Sequence, residues 1–116
     1  MEQKALKPVG VVGSGVMGHG IAMTFAKYGF QTIMYDISDD FLKKALENIS
    51  SGRFGLQKLV DKGSITASGM SEIMGRITIT TSLRDLAGCS LVVEAAPENR
   101  DLKGKNPFFR SSLYRI

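Results

Sequence analysis

The run Val9-Gly10-Val11-Val12-Gly13-Ser14-Gly15-Val16-Met17-Gly18-His19-Gly20-Ile21-Ala22 decides the fold. Its first four residues, three of them valine, form a short apolar stretch of the kind a strand buried on both faces shows. Gly13, Gly15 and Gly18 follow at the spacing G-x-G-x-x-G. Beyond them Ile21, Phe25 and Tyr28 recur at helical intervals, and Gly18, Ala22 and Ala26 make a second stripe of small side chains. Small residues let a helix lie close against a sheet. Gly29 suits the position just past a helix end. The run therefore reads as strand, tight turn and helix.

The pattern continues outward. Residues 31–35 read as a second strand, closed by Asp36. Ser38 can cap a following helix, with Asp39 and Asp40 favourable in its first turn. Leu42, Ala45, Leu46 and Ile49 mark its buried face, and Leu56, Leu59 and Val60 prolong it. Gly52 and Gly55 interrupt the pattern, giving two helices or one kinked helix, and Lys62-Gly63 ends it. Met70, Ile73 and Met74 indicate a short helix before Gly75. Ile77 and Ile79 alternate with Thr78 and Thr80, as in a strand. Ser82-Leu83-Arg84-Asp85 has the spacing of a capping box for one or two helical turns, stopped by Gly88. Leu91 to Ala95 is the last clear strand. Strands alternating with helices call for a parallel sheet with helices on both faces. The expected fold class is α/β: a Rossmann-type doubly wound parallel sheet, truncated to about four strands in the order 3-2-1-4.

Composition narrows the rest. A chain of 116 residues, 43 % apolar and 22 % charged, has the balance of one globular domain. A lone Cys89 cannot close an internal disulfide and fits a reducing, cytoplasmic setting. No apolar run approaches the roughly 18 residues that span a bilayer, and Met1 to Lys7 show no secretory h-region. The net charge of +4 lies wholly beyond Asn99, where Arg100, Lys103, Lys105, Arg110 and Arg115 face only Asp101. The remainder is neutral and has no basic stripe, so neither nucleic acid nor a membrane is an expected partner.

The glycine run carries the chemistry. It follows an apolar strand, opens an amphipathic helix, and is answered by Asp36 at about the interval of the dinucleotide fingerprint. Gly13 permits the tight turn, Gly15 leaves room for a pyrophosphate, and Gly18 lets helix and strand approach. Backbone N–H groups near Val16 and Met17 can bind phosphate oxygens, aided by the helix dipole. Asp36 can accept hydrogen bonds from both adenosine ribose hydroxyls and repels a 2′-phosphate, which favours NAD over NADP. The candidate cofactor-binding residues here are Gly13, Ser14, Gly15, Val16, Met17, Gly18 and Asp36.

The segment VGVVGSGVMGHGIA at Val9–Ala22 resembles the start of the 3-hydroxyacyl-CoA dehydrogenase family, including the 3-hydroxybutyryl-CoA dehydrogenases. The resemblance continues through Tyr35-Asp36-Ile37, the helical stretch from Asp39 to Gly63, Arg76-Ile77-Thr78, and the run VVEAAPEN at Val92–Asn99. It covers roughly residues 7 to 103. It implies NAD-dependent oxidation of an L-3-hydroxyacyl-CoA to the 3-ketoacyl-CoA in fatty-acid or butanoate metabolism. The family's Glu-Asn-x-x-x-Lys pattern at the cofactor is matched by Glu98, Asn99 and Lys103, which adds Glu98 and Lys103 to the candidate cofactor contacts. The helix after Asp36 helps bind acyl-CoA in relatives, so acyl-CoA is expected as a partner only of the full-length family.

The chain departs from the family after Asn99. The family's catalytic Ser, His–Glu pair and Asn, and its helical substrate domain, lie beyond this point. Residues 1–103 are therefore expected to be an NAD-binding portion, inactive alone, and 104–116 an atypical, disordered tail from a shifted frame or truncated gene. No catalytic or metal-ligating residue is assigned. Hydride transfer from a hydroxyl needs a base near its proton; His19 reads instead as a helix-face or near-phosphate residue, and Cys89 as a small packed side chain. Truncation leaves the edge of the Leu91–Ala95 strand to be covered by the Phe108-Phe109 tail, a partner or self-association. The alternative readings are another hydroxy-acid dehydrogenase sharing G-x-G-x-M-G, or a non-catalytic NAD-binding or interaction module.

Overall fold

The computed structural model describes residues 7–95 and the backbone of residues 113–115. Its elements are β1 (Val9–Val12), α1 (Val16–Lys27), β2 (Thr32–Tyr35), α2 (Asp39–Ser51), α3 (Leu56–Asp61), α4 (Ala67–Gly75), β3 (Ile77–Thr80), a 3-10 turn (Leu83–Leu86), β4 (Leu91–Glu94) and β5 (Leu113–Arg115). The strands form one parallel sheet in the order β3-β2-β1-β4-β5. The first four take the expected order 3-2-1-4. Val12 stands level with Tyr35 on one side and Glu94 on the other, so the carboxyl ends of β1, β2 and β4 meet at one edge. The chain leaves β1 towards β2 and returns on its other side at β4. That reversal opens the crevice where such sheets bind ligands.

β5 extends the expected set. It lies in the stretch read from sequence as a disordered tail, and it pairs with β4 from Val92↔Leu113 to Glu94↔Arg115. β4 is therefore not the sheet edge.

The sheet is covered unequally. On one face Val11 and Met34 pack with Ala22, Ala26, Leu42, Ala45, Ile49, Leu56 and Ile73. On the other, Val12, Tyr35 and Val92 meet Leu86 from the 3-10 turn, with Cys89 packed beside them. Each large apolar side chain so buried contributes roughly 1.5–3 kcal/mol relative to exposure.

Local chemistry sets the boundaries. α1 ends in a Schellman motif: Phe30 N–H donates to Phe25 O, Gly29 N–H donates to Ala26 O, and Gly29 has φ +99. The Phe25 and Phe30 rings meet edge-on, 5.8 Å apart, across it. Gly63, at φ +81, closes α3 in the same way. Ser38 and Thr66 cap α2 and α4 through their hydroxyls. The interruption at Gly52 and Gly55 resolves into two helices; a Cβ on Gly55 would lie 2.8 Å from Asn48 O.

The face of α1 against the sheet is the small stripe Gly18, Ala22 and Ala26, as its residue sizes indicate, and Tyr28, the last of the larger stripe, is 74 % exposed. The helix lies too close to β1 for large side chains to fit between them. The capping box at Ser82 does not form: its side chain makes no cap bond, and Asp85 accepts instead from the Thr80 hydroxyl. Among the described residues no helix is long and apolar enough to cross a membrane.

Candidate functional site

Gly13 turns the chain off β1 at φ +104, a conformation that L side chains rarely adopt. Its N–H donates to Tyr35 O, tying the turn to the end of β2. Gly18 then brings α1 down onto the turn. A Cβ there would sit 1.9 Å from Gly13 O and 2.6 Å from Gly13 C, both backbone atoms that cannot yield. Gly15 is the opposite case. A Cβ built on it meets nothing within 4 Å, so the space before it is free for a ligand.

Gly15 is also the N-cap of α1, with no side-chain cap and no acid in the first turn. The first bond of the helix runs from His19 N–H to Gly15 O. The N–H groups of Val16, Met17 and Gly18 precede it and have no partner within the helix. α2 and α4 cover their helix starts with hydroxyls; α1 presents bare amides and the positive end of its dipole to the crevice. Val16, 85 % exposed, stands at this rim.

Asp36 lies at the end of β2, beside the turn. Its Oδ2 accepts from Ser14 N–H at 2.9 Å and from the Ser14 hydroxyl at 2.7 Å. Its Oδ1 accepts from Ile37 N–H at 2.7 Å. Ser14 is only 5 % exposed, so its two charge-assisted bonds to Asp36 are partly shielded from water. The sequence reading gave Asp36 wholly to the sugar; its carboxylate is already engaged three times within the protein. A carboxylate offers about four acceptor positions, so one remains free, and rotation of the Ser14 hydroxyl releases a second. Asp36 thus retains the capacity to take a diol while it anchors the turn.

His19 extends this chain of contacts. Its Nδ1 is 3.3 Å from Ser14 O, and a carbonyl partner requires the proton on Nδ1. Ser14 is thereby held from both sides, by Asp36 and by His19. A cavity of about 530 Å³ opens over these groups, lined from Val12 through Val16, by His19, by Tyr35 to Ile37, and by Asp40, Phe41, Lys44, Ala45 and Asn48 of α2. Val16, His19 and Asn48 also border a second hollow of about 390 Å³ that runs towards Arg53 and Phe54.

Of the predicted residues, Gly13, Ser14, Gly15, Val16 and Asp36 are brought together in the cavity wall. Gly18 stands behind it as a packing contact, and Met17 lies on the exposed first turn of α1. Glu98 and Lys103 lie outside the described residues. Sequence reasoning missed the α2 wall and Ile37. Phe41, a large aromatic three residues after the capping Ser38 and outside the stripe Leu42, Ala45 and Ile49, was the available signal.

Bare helix-start amides and a fixed carboxylate, placed at the switch of a parallel sheet, define the class: a Rossmann dinucleotide-binding domain. Residues 8–110 match the family model described as 3-hydroxyacyl-CoA dehydrogenase, NAD binding domain. The chain is 38 % identical over 100 residues to a 3-hydroxybutyryl-CoA dehydrogenase of Bradyrhizobium diazoefficiens, a match covering 86 % of this chain and 33 % of that one. It is 42 % identical over 94 residues to a probable 3-hydroxybutyryl-CoA dehydrogenase of Deinococcus radiodurans, covering 81 % and 32 %. The crystal structure of an (S)-3-hydroxybutyryl-CoA dehydrogenase from Ralstonia eutropha superposes with a TM-score of 0.77 at 39 % identity, over 86 % of this chain and 34 % of that one. The chain belongs to the 3-hydroxyacyl-CoA dehydrogenase family, in whose NAD-binding domain it lies, and its cofactor is NAD. It spans about a third of the length of these curated relatives.

Proposed function

We propose that residues 7–95 hold the adenosine diphosphate half of NAD, within a protein that oxidises an L-3-hydroxyacyl-CoA to the 3-ketoacyl-CoA. The observation that carries this reading is the pairing of free space before Gly15 with the Ser14-anchored carboxylate of Asp36 beside it. The amides of Val16 and Met17 bind phosphate oxygens, and Asp36 receives the ribose hydroxyls and repels a 2′-phosphate. Glu98 and Lys103 contact the cofactor from the segment after β4. When bound, NAD supplies the ring that takes a hydride from the hydroxyl-bearing carbon.

Oxidation also needs a base within reach of the hydroxyl proton. His19, the single histidine of the chain, is tied to Ser14 O instead. The 116 residues therefore bind NAD without turning over, and substrate and catalytic groups belong to the remainder of the family's length. The test is calorimetry and thermal shift on the full chain with NAD and with NADP. NAD raises the melting point and NADP does so less, because stabilisation follows RT ln(1 + [L]/Kd). No shift at millimolar NAD removes the cofactor reading. Reduction of acetoacetyl-CoA by the pure chain with NADH overturns the claim of inactivity.

A further inference from the structure

His19 takes hold of the glycine turn twice. Its backbone N–H donates to Gly15 O at 2.9 Å, and its ring Nδ1 lies 3.3 Å from Ser14 O. Two successive carbonyls of the turn are thus drawn towards one residue, a turn into α1. A trans peptide is planar, with its N–H opposed to its C=O. Drawing the Ser14 and Gly15 carbonyls towards α1 therefore turns the N–H groups of Gly15 and Val16 out of the helix start.

The second of these holds is not redundant. Asp36 fixes the N–H and the hydroxyl of Ser14, which sets the peptide before that residue and leaves the peptide after it free to turn. The helical ladder begins at Gly15 O, so it does not reach Ser14 O either. Gly15 follows, with no side-chain cap and the wide backbone freedom of a glycine. The ring of His19 closes this gap. It borders the cavity over the turn and is half-buried, so it stands at the ligand side of α1 without filling the space before Gly15.

We infer that His19 is a positioning residue for the dinucleotide: its Nδ1–H, donated to Ser14 O, sets the Ser14–Gly15 peptide so that the amides of the turn face the diphosphate before it arrives. The inference rests on the NAD reading above and deepens it, because the acid and the bare helix start say which groups meet NAD and not what holds them in register. A turn already ordered gives up less freedom on binding, so the grip appears as affinity. It also fixes the tautomer of the ring, since the nitrogen that makes the hydrogen bond keeps the proton.

The test uses the full chain, free of any added histidine. His19 is then its single histidine, so its ring signals need no assignment. A proton–nitrogen correlation spectrum of the ligand-free chain, on the alkaline side of the ring's titration, shows the proton on Nδ1 and a bare Nε2. A proton on Nε2 overturns the assignment whatever happens to NAD. Calorimetry with NAD then compares the parent with His19→Ala, His19→Asn and His19→Gln. The amide nitrogen of Asn stands where Nδ1 does, and that of Gln stands nearer Nε2. His19→Ala raises the Kd for NAD roughly three- to tenfold, the span of one neutral hydrogen bond, and His19→Asn returns it to within about twofold of the parent. His19→Gln stays near His19→Ala. Alanine is the better helix former, so a weaker α1 does not account for the loss. Equal NAD affinity in the parent and His19→Ala overturns the positioning role and leaves the NAD reading standing. Rescue by Gln and not by Asn overturns it as well, because the contact then runs through Nε2 to the ligand. A parent that takes up no NAD at millimolar concentration, with its proton on Nδ1, overturns the NAD reading and with it the role of His19, while the bond to Ser14 O remains.

Discussion

The two sides of the turn from Gly13 to Gly18 are built from the same residue type for opposite reasons. On the packed side, Gly18 faces Gly13 O at a distance no side chain survives, and Ala22 and Ala26 carry that contact down the sheet with no exposed surface. On the open side, Gly15 faces empty space and Val16 stands in solvent. The packed glycine is required by the fold whether or not a ligand exists. The open glycine is dispensable to the fold and has meaning only for a ligand. A fingerprint read as G-x-G-x-x-G merges these two demands, and substitutions separate them.

The largest effect is expected at the packed side. Gly18→Ala forces α1 away from β1, because the obstructing atoms are backbone. Overpacking of this kind costs about 3 kcal/mol or more. The expected outcome is a fall in melting point of more than about 10 °C, or failure to fold, read by circular dichroism. A Gly18→Ala protein that melts with the parent would erase the distinction between the two sides.

Asp36 joins the sides, so its loss touches both. Asp36→Ala leaves the shielded Ser14 hydroxyl and N–H without their acceptor, at about 1–3 kcal/mol of stability. It also removes the acceptor for the ribose, so NAD affinity drops about tenfold or more and discrimination against NADP erodes. Chemical denaturation and calorimetry measure the two losses separately. Unchanged NAD affinity would confine Asp36 to anchoring the turn.

Gly15→Ala affects only the open side. At φ −68 its backbone suits any residue, and the methyl group meets no protein atom. Stability changes by less than about 1 kcal/mol, the usual range for an N-cap change to alanine. NAD binding weakens about tenfold by calorimetry, since the methyl intrudes on the pyrophosphate space. Equal NAD affinity in the parent and in Gly15→Ala would place the pyrophosphate elsewhere.

Local rules made much of this legible before any coordinates. The strand–glycine–helix order, the stop at Gly29 and the break at Gly52 and Gly55 each depend on residues close in sequence, and each is where periodicity puts it. Contacts across the sequence were not legible. The Ser14–Asp36 bond joins residues 22 apart, and no spacing rule calls for it. Phe41 reads as an unremarkable surface aromatic until α2 is laid beside the crevice. β5 depends on a pairing partner in β4, and three residues carry too short a pattern to announce it.

The smallest effect lies away from the cavity and serves as its control. Cys89 packs on the far face of the sheet with Leu86; a Cβ on Gly10 would lie 3.2 Å from its Sγ. Burial pushes its thiol up from 9.0 to about 11. The folded chain therefore holds this proton more tightly than the unfolded chain does. The contribution to stability is complete below about pH 9 and is lost as pH rises towards 11. The parent should lose stability relative to Cys89→Ala over that window, and iodoacetamide should react slowly at pH 8 until urea is added. NAD affinity should be the same in both proteins. A change in NAD affinity on Cys89→Ala would mean that the packed and open regions are coupled through the sheet, and the separation drawn at the glycine turn would not hold for the domain as a whole.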